Sequence, residues 1–228
     1  MLGDVLARAG VLQGISPGDA AALTARFESV HAPKGTVVFD EDEHGGSDLY
    51  IVVSGKVKLS RRSIDGQKSL VLAVLGPADT FGALQVFAPG PGGETAAALT
   101  DTELARMPQP AVRSWLTSQP QTAMPLLRLL VRRLRHSSDT LASLLSLDAP
   151  GRLARLLLQL AEQFGADAGG GRLRVTHDLT RQDLAQLVST SPETVHRTLA
   201  EFARHGWVRV DGTTVLILDR EQLARRAS

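Results

Sequence analysis

Residues 180–218 constrain this chain more than any other stretch, because a helical period gives way to a strand period within a few turns. Thr180-Arg181-Gln182-Asp183 is a Thr-x-x-Asp helix start, with a hydroxyl to cap the free N–H groups and an acid beside the positive helix end. Leu184, Leu187 and Val188 supply the apolar face of that helix. Ser189-Thr190-Ser191 interrupts it, and Ser191-Pro192 begins another, since proline at the first helical position gives up no needed donor. In the second helix Val195, Leu199 and Phe202 recur at i, i+4 and i+7, while Glu193, Arg197 and Arg204 take the opposite side. Gly206 ends this helix. Two strand-like runs, 207–210 and 213–218, follow as a hairpin joined by Asp211-Gly212.

Helix, turn, helix and hairpin in this order make a winged helix-turn-helix, and the second helix carries suitable chemistry. A carboxylate and a guanidinium one turn apart can accept an N–H from cytosine and donate two to guanine in a major groove. As an ordinary surface pair the same residues contribute only about 0.2–0.5 kcal/mol. The run Ser191-Pro192-Glu193-Thr194-Val195-His196-Arg197 resembles the recognition helix of the CRP/FNR family of bacterial transcription regulators, whose pattern is Ser-Arg-Glu-Thr-Val-x-Arg. Glu193, Thr194, Val195 and Arg197 match; Pro192 departs. The resemblance extends over nearly the whole chain. It implies an α+β protein in three parts: an N-terminal antiparallel β-roll (a double-stranded β-helix like the cyclic-nucleotide-binding domain) over 1–118, a long dimerisation helix over 119–147, and a winged helix-turn-helix over 148–228.

Composition narrows the classes without choosing among them. With 228 residues, 43% hydrophobic and 21% charged, the chain has room for two small domains. A net charge of +1 and a pI near 8.2 are too mild to imply nucleic acid, so DNA affinity has to come from local placement and pairing of copies. The absence of cysteine excludes disulfides, thiolate zinc sites and cysteine-held iron–sulfur clusters, and with them an oxygen sensor of the FNR kind. No basic-then-apolar leader and no apolar run of membrane-spanning length is present, so a cytoplasmic protein is expected.

Upstream, Ser16-Pro17-Gly18-Asp19 predicts a short helix through Phe27. From about Val30 to Met107 short β-branched runs alternate with turns at Pro33-Lys34-Gly35, Ser54-Gly55, Asp65-Gly66 and Gly76-Pro77, which suits a small antiparallel barrel or roll. Gly35, Gly55 and Gly82 stand where the family places turn glycines. The acidic run 40–44 lacks the alternating ligand spacing of a calcium loop and reads as a solvated loop.

The segment from Phe81 to Ala96 corresponds to the family's phosphate cassette and departs from it where the chemistry is. In cAMP-binding relatives a Phe-Gly-Glu-Leu carboxylate holds the ribose, and an Arg followed by Ser or Thr grips the cyclic phosphate. Here Ala83 replaces the carboxylate, the Arg position falls on Gly92 or Gly93, and no Lys or Arg occurs from Ser69 to Ala105. A buried phosphodiester needs a cation or a dense set of N–H donors. Glu94 opposes one, while Gly92-Gly93 could form an anion nest. Two readings stay open: a scaffold that does not depend on ordinary cAMP, and a ligand-switched sensor using Gly82, Ala83, Leu84, Gly92, Gly93 and Thr95 with a nucleotide effector such as cAMP or a cyclic dinucleotide. No cofactor or metal is otherwise expected.

From Gln119 a helical period returns: Leu127, Leu130, Leu134, Leu141 and Leu144 form a narrow stripe suited to a two-helix seam, with Arg128, Arg132, Arg133 and Arg135 as a basic solvent side. Ser137-Ser138 fall where cAMP-responsive relatives place the Thr-Ser that touches the base. The segment 147–151 forms a hinge in which Asp148 caps the next helix, built on Leu153, Leu156, Leu157 and Leu160 and ended by Gly165. Gly169-Gly170-Gly171 reads as a flexible connection.

The six histidines lack metal spacing and no nucleophile elbow occurs, so an enzyme is not expected. The resemblance implies a homodimer on palindromic double-stranded DNA, with RNA polymerase as a further partner. Glu193 and Arg197 are the expected base readers. Thr180, Gln182, Ser191 and Thr194 are expected at the sugar–phosphate backbone, and His196 near a phosphate or base.

Overall fold

The computed structural model describes residues 5, 8–9, 17–41, 48–63, 65, 69–82, 93–118, 120 and 123–228. The chain divides into two compact units, residues 1–135 and 136–228.

In the first unit a helix, α1 (Pro17–Thr24), precedes eight strands: β1 (Glu28–Ala32), β2 (Val37–Phe39), β3 (Leu49–Ser54), β4 (Val57–Arg62), β5 (Ser69–Leu75), β6 (Thr80–Phe81), β7 (Thr95–Ala98) and β8 (Thr102–Met107). They form two four-stranded antiparallel sheets, ordered β1-β8-β3-β6 and β2-β7-β4-β5. The helix stops at Thr24, short of the expected Phe27, because Glu28 already pairs with Arg106 in the sheet.

Strand β3 shows how the period of two builds this unit. Tyr50 and Val52 enter a core shared by both sheets, with Phe39, Leu59, Phe81 and Leu104. There Phe39, Tyr50 and Phe81 form an aromatic trio with ring centroids 5.1–5.9 Å apart. Leu49 and Ile51 point the other way, into a second core with Met107, Val112, Trp115 and Leu126. Buried on both faces, β3 reads as a continuous apolar run rather than an alternating one. Val112 and Trp115 belong to α2 (Gln109–Ser118), which the sequence reading did not anticipate; Pro108 and Pro110 mark its start, where proline is tolerated.

A long helix, α3 (Ala123–Ser146), crosses the division between the units. Leu127, Val131, Leu134 and Leu141 along it are 41–68% exposed in the single chain. Exposed apolar residues recurring along one helix are a feature of surfaces that meet another protein.

The second unit begins with α4 (Ala149–Phe164), capped by Asp148, whose carboxylate accepts the Gly151 N–H at 2.9 Å. The Asp148 carboxyl is held below the usual carboxylate range, first by Arg226, which donates to it at 2.6 Å, and then by that backbone N–H. Then follow β9 (Gly165–Asp167), β10 (Leu173–Thr176), α5 (Arg181–Leu187), α6 (Pro192–Arg204), β11 (Val208–Asp211), β12 (Thr214–Ile217) and α7 (Arg220–Arg226).

Three expectations are corrected here. Gly169–Gly171 is no loose connection but the turn of a β9–β10 hairpin, with φ of +79°, +63° and +74° that only glycine adopts freely. The wing is therefore a four-stranded sheet, ordered β11-β12-β10-β9, rather than a lone hairpin. Its tip is Gly212-Thr213, one residue later than expected, since Asp211 still pairs with Thr214.

Candidate nucleic-acid interface

The turn between α5 and α6 is braced from three directions. At its start Thr180 and Asp183 close a capping box: the Asp183 N–H donates to Thr180 Oγ1 at 3.1 Å and the Thr180 N–H to Asp183 Oδ2 at 2.9 Å. The Thr180 hydroxyl also donates to Asp183 at 2.6 Å, so its hydrogen is engaged within the cap. At the far end Ser191 accepts the Thr194 N–H at 3.1 Å and lies 3.1 Å from the Thr194 hydroxyl. Between them Ser189 sits at φ +51°, a left-handed conformation uncommon outside glycine and asparagine. Arg152 of α4 secures that bend by donating to the carbonyls of Leu147 and Val188 at 2.7 Å and of Ser189 at 3.2 Å.

These braces fix which face of α6 is outward. Val195, Thr198, Leu199 and Phe202 are buried, and Glu193, His196, Arg197 and Arg204 are exposed. Phe202 packs against Trp207 at 5.3 Å between ring centroids, anchoring the helix end to the wing. The Glu193 carboxyl is held below the usual range, first by its own backbone N–H and then by the Ser191 hydroxyl. It is therefore an ionised acceptor with a preferred direction at the positive end of α6.

The flank of α6 that carries His196 joins Thr180 and Arg181 of the α5 start and Arg209 and Thr213 of the wing around one concavity of about 730 Å³. Arg181, Arg209 and Thr213 were not singled out from sequence. Nothing in the order of residues says that a wing strand lies beside the first turn of α5.

In the first unit, Ala83, Leu84 and Gly92 of the expected effector site lie outside the described residues. Gly82 has φ +79°, and Gly93 is buried. The Thr95 hydroxyl points to the 40–41 segment: it accepts the Glu41 N–H at 3.2 Å and lies 3.4 Å from Asp40. That segment, where described, is not solvated as expected; Glu41 and Asp40 pair with Arg62 at 3.0 and 3.6 Å, and the Glu41 side chain is 9% exposed. Among the described residues no group of acidic or histidine side chains could hold a metal.

A further correction concerns α3. Arg128, Arg132 and Arg135 face solvent as expected, but Arg133 does not: its guanidinium donates to the Thr80 carbonyl at 2.7 Å and stands 3.9 Å from Glu94. A cation thus reaches the cassette from outside the window 69–105. The available signal was the helical period, because Arg133 follows the buried Leu126 by two turns and shares its face. Ser137 and Ser138 lie on the exposed surface of α3 within the second unit.

Residues 29–119 match the model of a cyclic nucleotide-binding domain, and residues 151–226 that of a Crp-like helix-turn-helix domain. A CRP-like cAMP-activated global transcriptional regulator of Mycobacterium tuberculosis is 50% identical over 98% of this chain and 99% of its own length. Among solved structures, FixK2 of Bradyrhizobium japonicum is similar at a TM-score of 0.77, with 24% identity over 89% of this chain and 98% of its own. CLP of Xanthomonas campestris, described as a c-di-GMP responsive global regulator, is similar at 0.71 and 25%, covering 89% and 99%.

Proposed function

The chain belongs to the CRP family of DNA-binding transcription regulators, with a cyclic nucleotide-binding domain ahead of a Crp-like helix-turn-helix, and from that premise we propose how its residues divide the work. Two copies pair through the exposed stripe of α3 and present two α6 helices to successive major grooves of a palindromic site, half-sites about 34–36 Å apart. Glu193 and Arg197 read base edges. Gln182, Ser191, Thr194 and the N-terminus of α5 at Thr180 set the register on phosphates, with His196, Arg181 and Arg209 beside them. The observation that carries this reading is the outward pairing of an ionised Glu193 and an exposed Arg197 on a helix whose other face is buried. Residues 1–118, 119–147 and 148–228 then act as sensor, dimerisation helix and DNA-binding domain, and RNA polymerase receives the output.

Pro192 stands where the family carries an arginine, so one contact worth about 1–3 kcal/mol of discrimination is absent or supplied elsewhere. The preferred site accordingly differs from that of relatives holding the arginine. Selection of symmetric duplexes from a random pool, followed by binding of the Arg197→Ala variant to the selected and a scrambled duplex, tests the assignment. Loss of preference with nonspecific affinity retained is expected; equal losses on both duplexes contradict it. Sedimentation of the free protein as a monomer at working concentration contradicts the paired arrangement.

A second reading concerns the effector, and a specific observation favours it. Arg133 brings to the roll the cation that the cassette itself lacks, and the M. tuberculosis relative, half identical throughout, is described as cAMP-activated. Under this reading an anionic nucleotide binds near Arg133 and biases the DNA-competent dimer by its differential affinity. Calorimetric titration with cAMP, cGMP and cyclic di-GMP decides it.

A further inference from the structure

We infer that Glu94 is the resident counter-ion of Arg133, and that an anionic effector enters the roll by displacing Glu94 from that guanidinium. The inference rests on the effector reading above and adds the residue that sets its threshold.

Both partners are rooted before any ligand arrives. Glu94 directly precedes β7, whose Thr95–Ala98 backbone is paired with β4 in the register Ser60↔Thr95 through Val57↔Ala98. That pairing holds the Glu94 backbone from one side, so displacement from the guanidinium is a turn of the side chain rather than a move of the strand. Arg133 is anchored by the bond from its Nη2 to the Thr80 carbonyl, at the end of β3's neighbour β6. Each side chain is 23% exposed, so water screens the pair less than it screens a surface pair. The separation of 3.9 Å is that of a loose ion pair, close enough for attraction and too long for a tight bidentate bond.

A cyclic phosphodiester carries one negative charge and needs that same guanidinium, because no lysine or arginine lies between Ser69 and Ala105. With Glu94 charged and in place, a phosphate meets a half-neutralised cation and a nearby carboxylate of its own sign. Binding then has to separate Glu94 from Arg133, and the work of doing so is subtracted from affinity. A ligand without charge pays nothing of the kind. Glu94 therefore discriminates by charge and raises the effector concentration at which the sensor responds.

Full-length wild type, Glu94→Gln, Glu94→Ala and the double variant Glu94→Gln/Arg133→Gln are to be titrated with cAMP, cyclic di-GMP and uncharged adenosine by calorimetry, after thermal melting shows each folded. Glu94→Gln keeps the shape and removes the charge; it is expected to bind cAMP about fivefold more tightly, the equivalent of ~1 kcal/mol, with Glu94→Ala alike, and the double variant loses the gain. Adenosine affinity stays unchanged. If wild type binds a cyclic nucleotide and removal of the Glu94 charge leaves affinity unaltered or weaker, or tightens adenosine equally, the inference falls and the effector reading survives. If neither wild type nor the Glu94 variants bind any cyclic nucleotide, both fall together.

Discussion

Two glutamate–arginine pairs in this chain are held in opposite ways. Glu193 and Arg197 stand exposed on α6, each turned to solvent, with the acid oriented by its own N–H and the Ser191 hydroxyl. Glu94 and Arg133 are mostly covered and face each other. The first pair faces outward with its acid already directed, so under the proposed reading little reorganisation of Glu193 is needed when DNA arrives. The second is spent internally, and whatever binds there has to compete with a contact the fold already makes. On the readings proposed above, the same two residue types serve as a reading head in one unit and as a threshold in the other, and their anchoring and exposure make the difference.

The largest expected effect comes from damaging the anchoring in the cyclic nucleotide-binding domain. A Cβ at Gly82 would lie 2.1 Å from the Asp48 carbonyl oxygen, at a φ of +79° that side chains resist. Gly82→Ala should cost roughly 2–4 kcal/mol, read by urea unfolding, and should disturb Thr80, two residues before it, and with it the seat of Arg133. A stable Gly82→Ala protein with undiminished nucleotide heat would mean that the roll does not hold its pair in the way described.

Next comes the proposed DNA-reading side. Ser191→Ala removes the cap of α6 and one of the two groups orienting Glu193, for about 1 kcal/mol of stability. Discrimination at the base assigned to Glu193 under the proposed reading should fall along with it, while affinity for a scrambled duplex should hardly change. Loss of stability with discrimination intact would show that Glu193 needs no orientation.

The smallest effect separates a structural charge from the two pairs to which functions are proposed. Asp148 has a folded pKa below its ordinary 3.8, so its contribution is fully present above that value and is lost as pH falls through the lower folded value. Asp148→Asn keeps the capping geometry and removes the charge. Because the side chain is 61% exposed, solvent screening should hold the difference from wild type to less than about 1 kcal/mol at neutral pH, vanishing in strong acid. A difference that grows on acidification would reverse the assigned sign.

Local signals were legible where local physics decides. The capping box at Thr180, the proline start at Pro192 and the buried stripe Val195–Leu199–Phe202 all stand as read, since each depends on residues within one or two turns. The strands of the roll were legible from turns and β-branched runs for the same reason. The hairpin β9–β10 was not. Strand β9 is three exposed residues, β10 offers only the four-residue alternation Leu173-Arg174-Val175-Thr176 with Val175 buried, and the hairpin forms because β12 offers β10 an edge from about forty residues downstream in the register Leu173↔Ile217. Helix α2 escaped notice because prolines obscured its start and because its apolar side answers a core that no neighbouring segment reveals.

What the order of residues settled alone is the kind of protein this is: an alternating roll, a long helix with an apolar stripe, and a winged helix-turn-helix whose exposed face carries Glu193 and Arg197. Such features follow from periods of two and 3.6 and from caps, which act over a few residues. Tertiary structure decided the rest. The helical period puts Arg133 on the face of the buried Leu126, but that this face meets Glu94 and the Thr80 carbonyl, 53 residues away, depends on a helix and distant strand ends being brought together, and no local period encodes the partners.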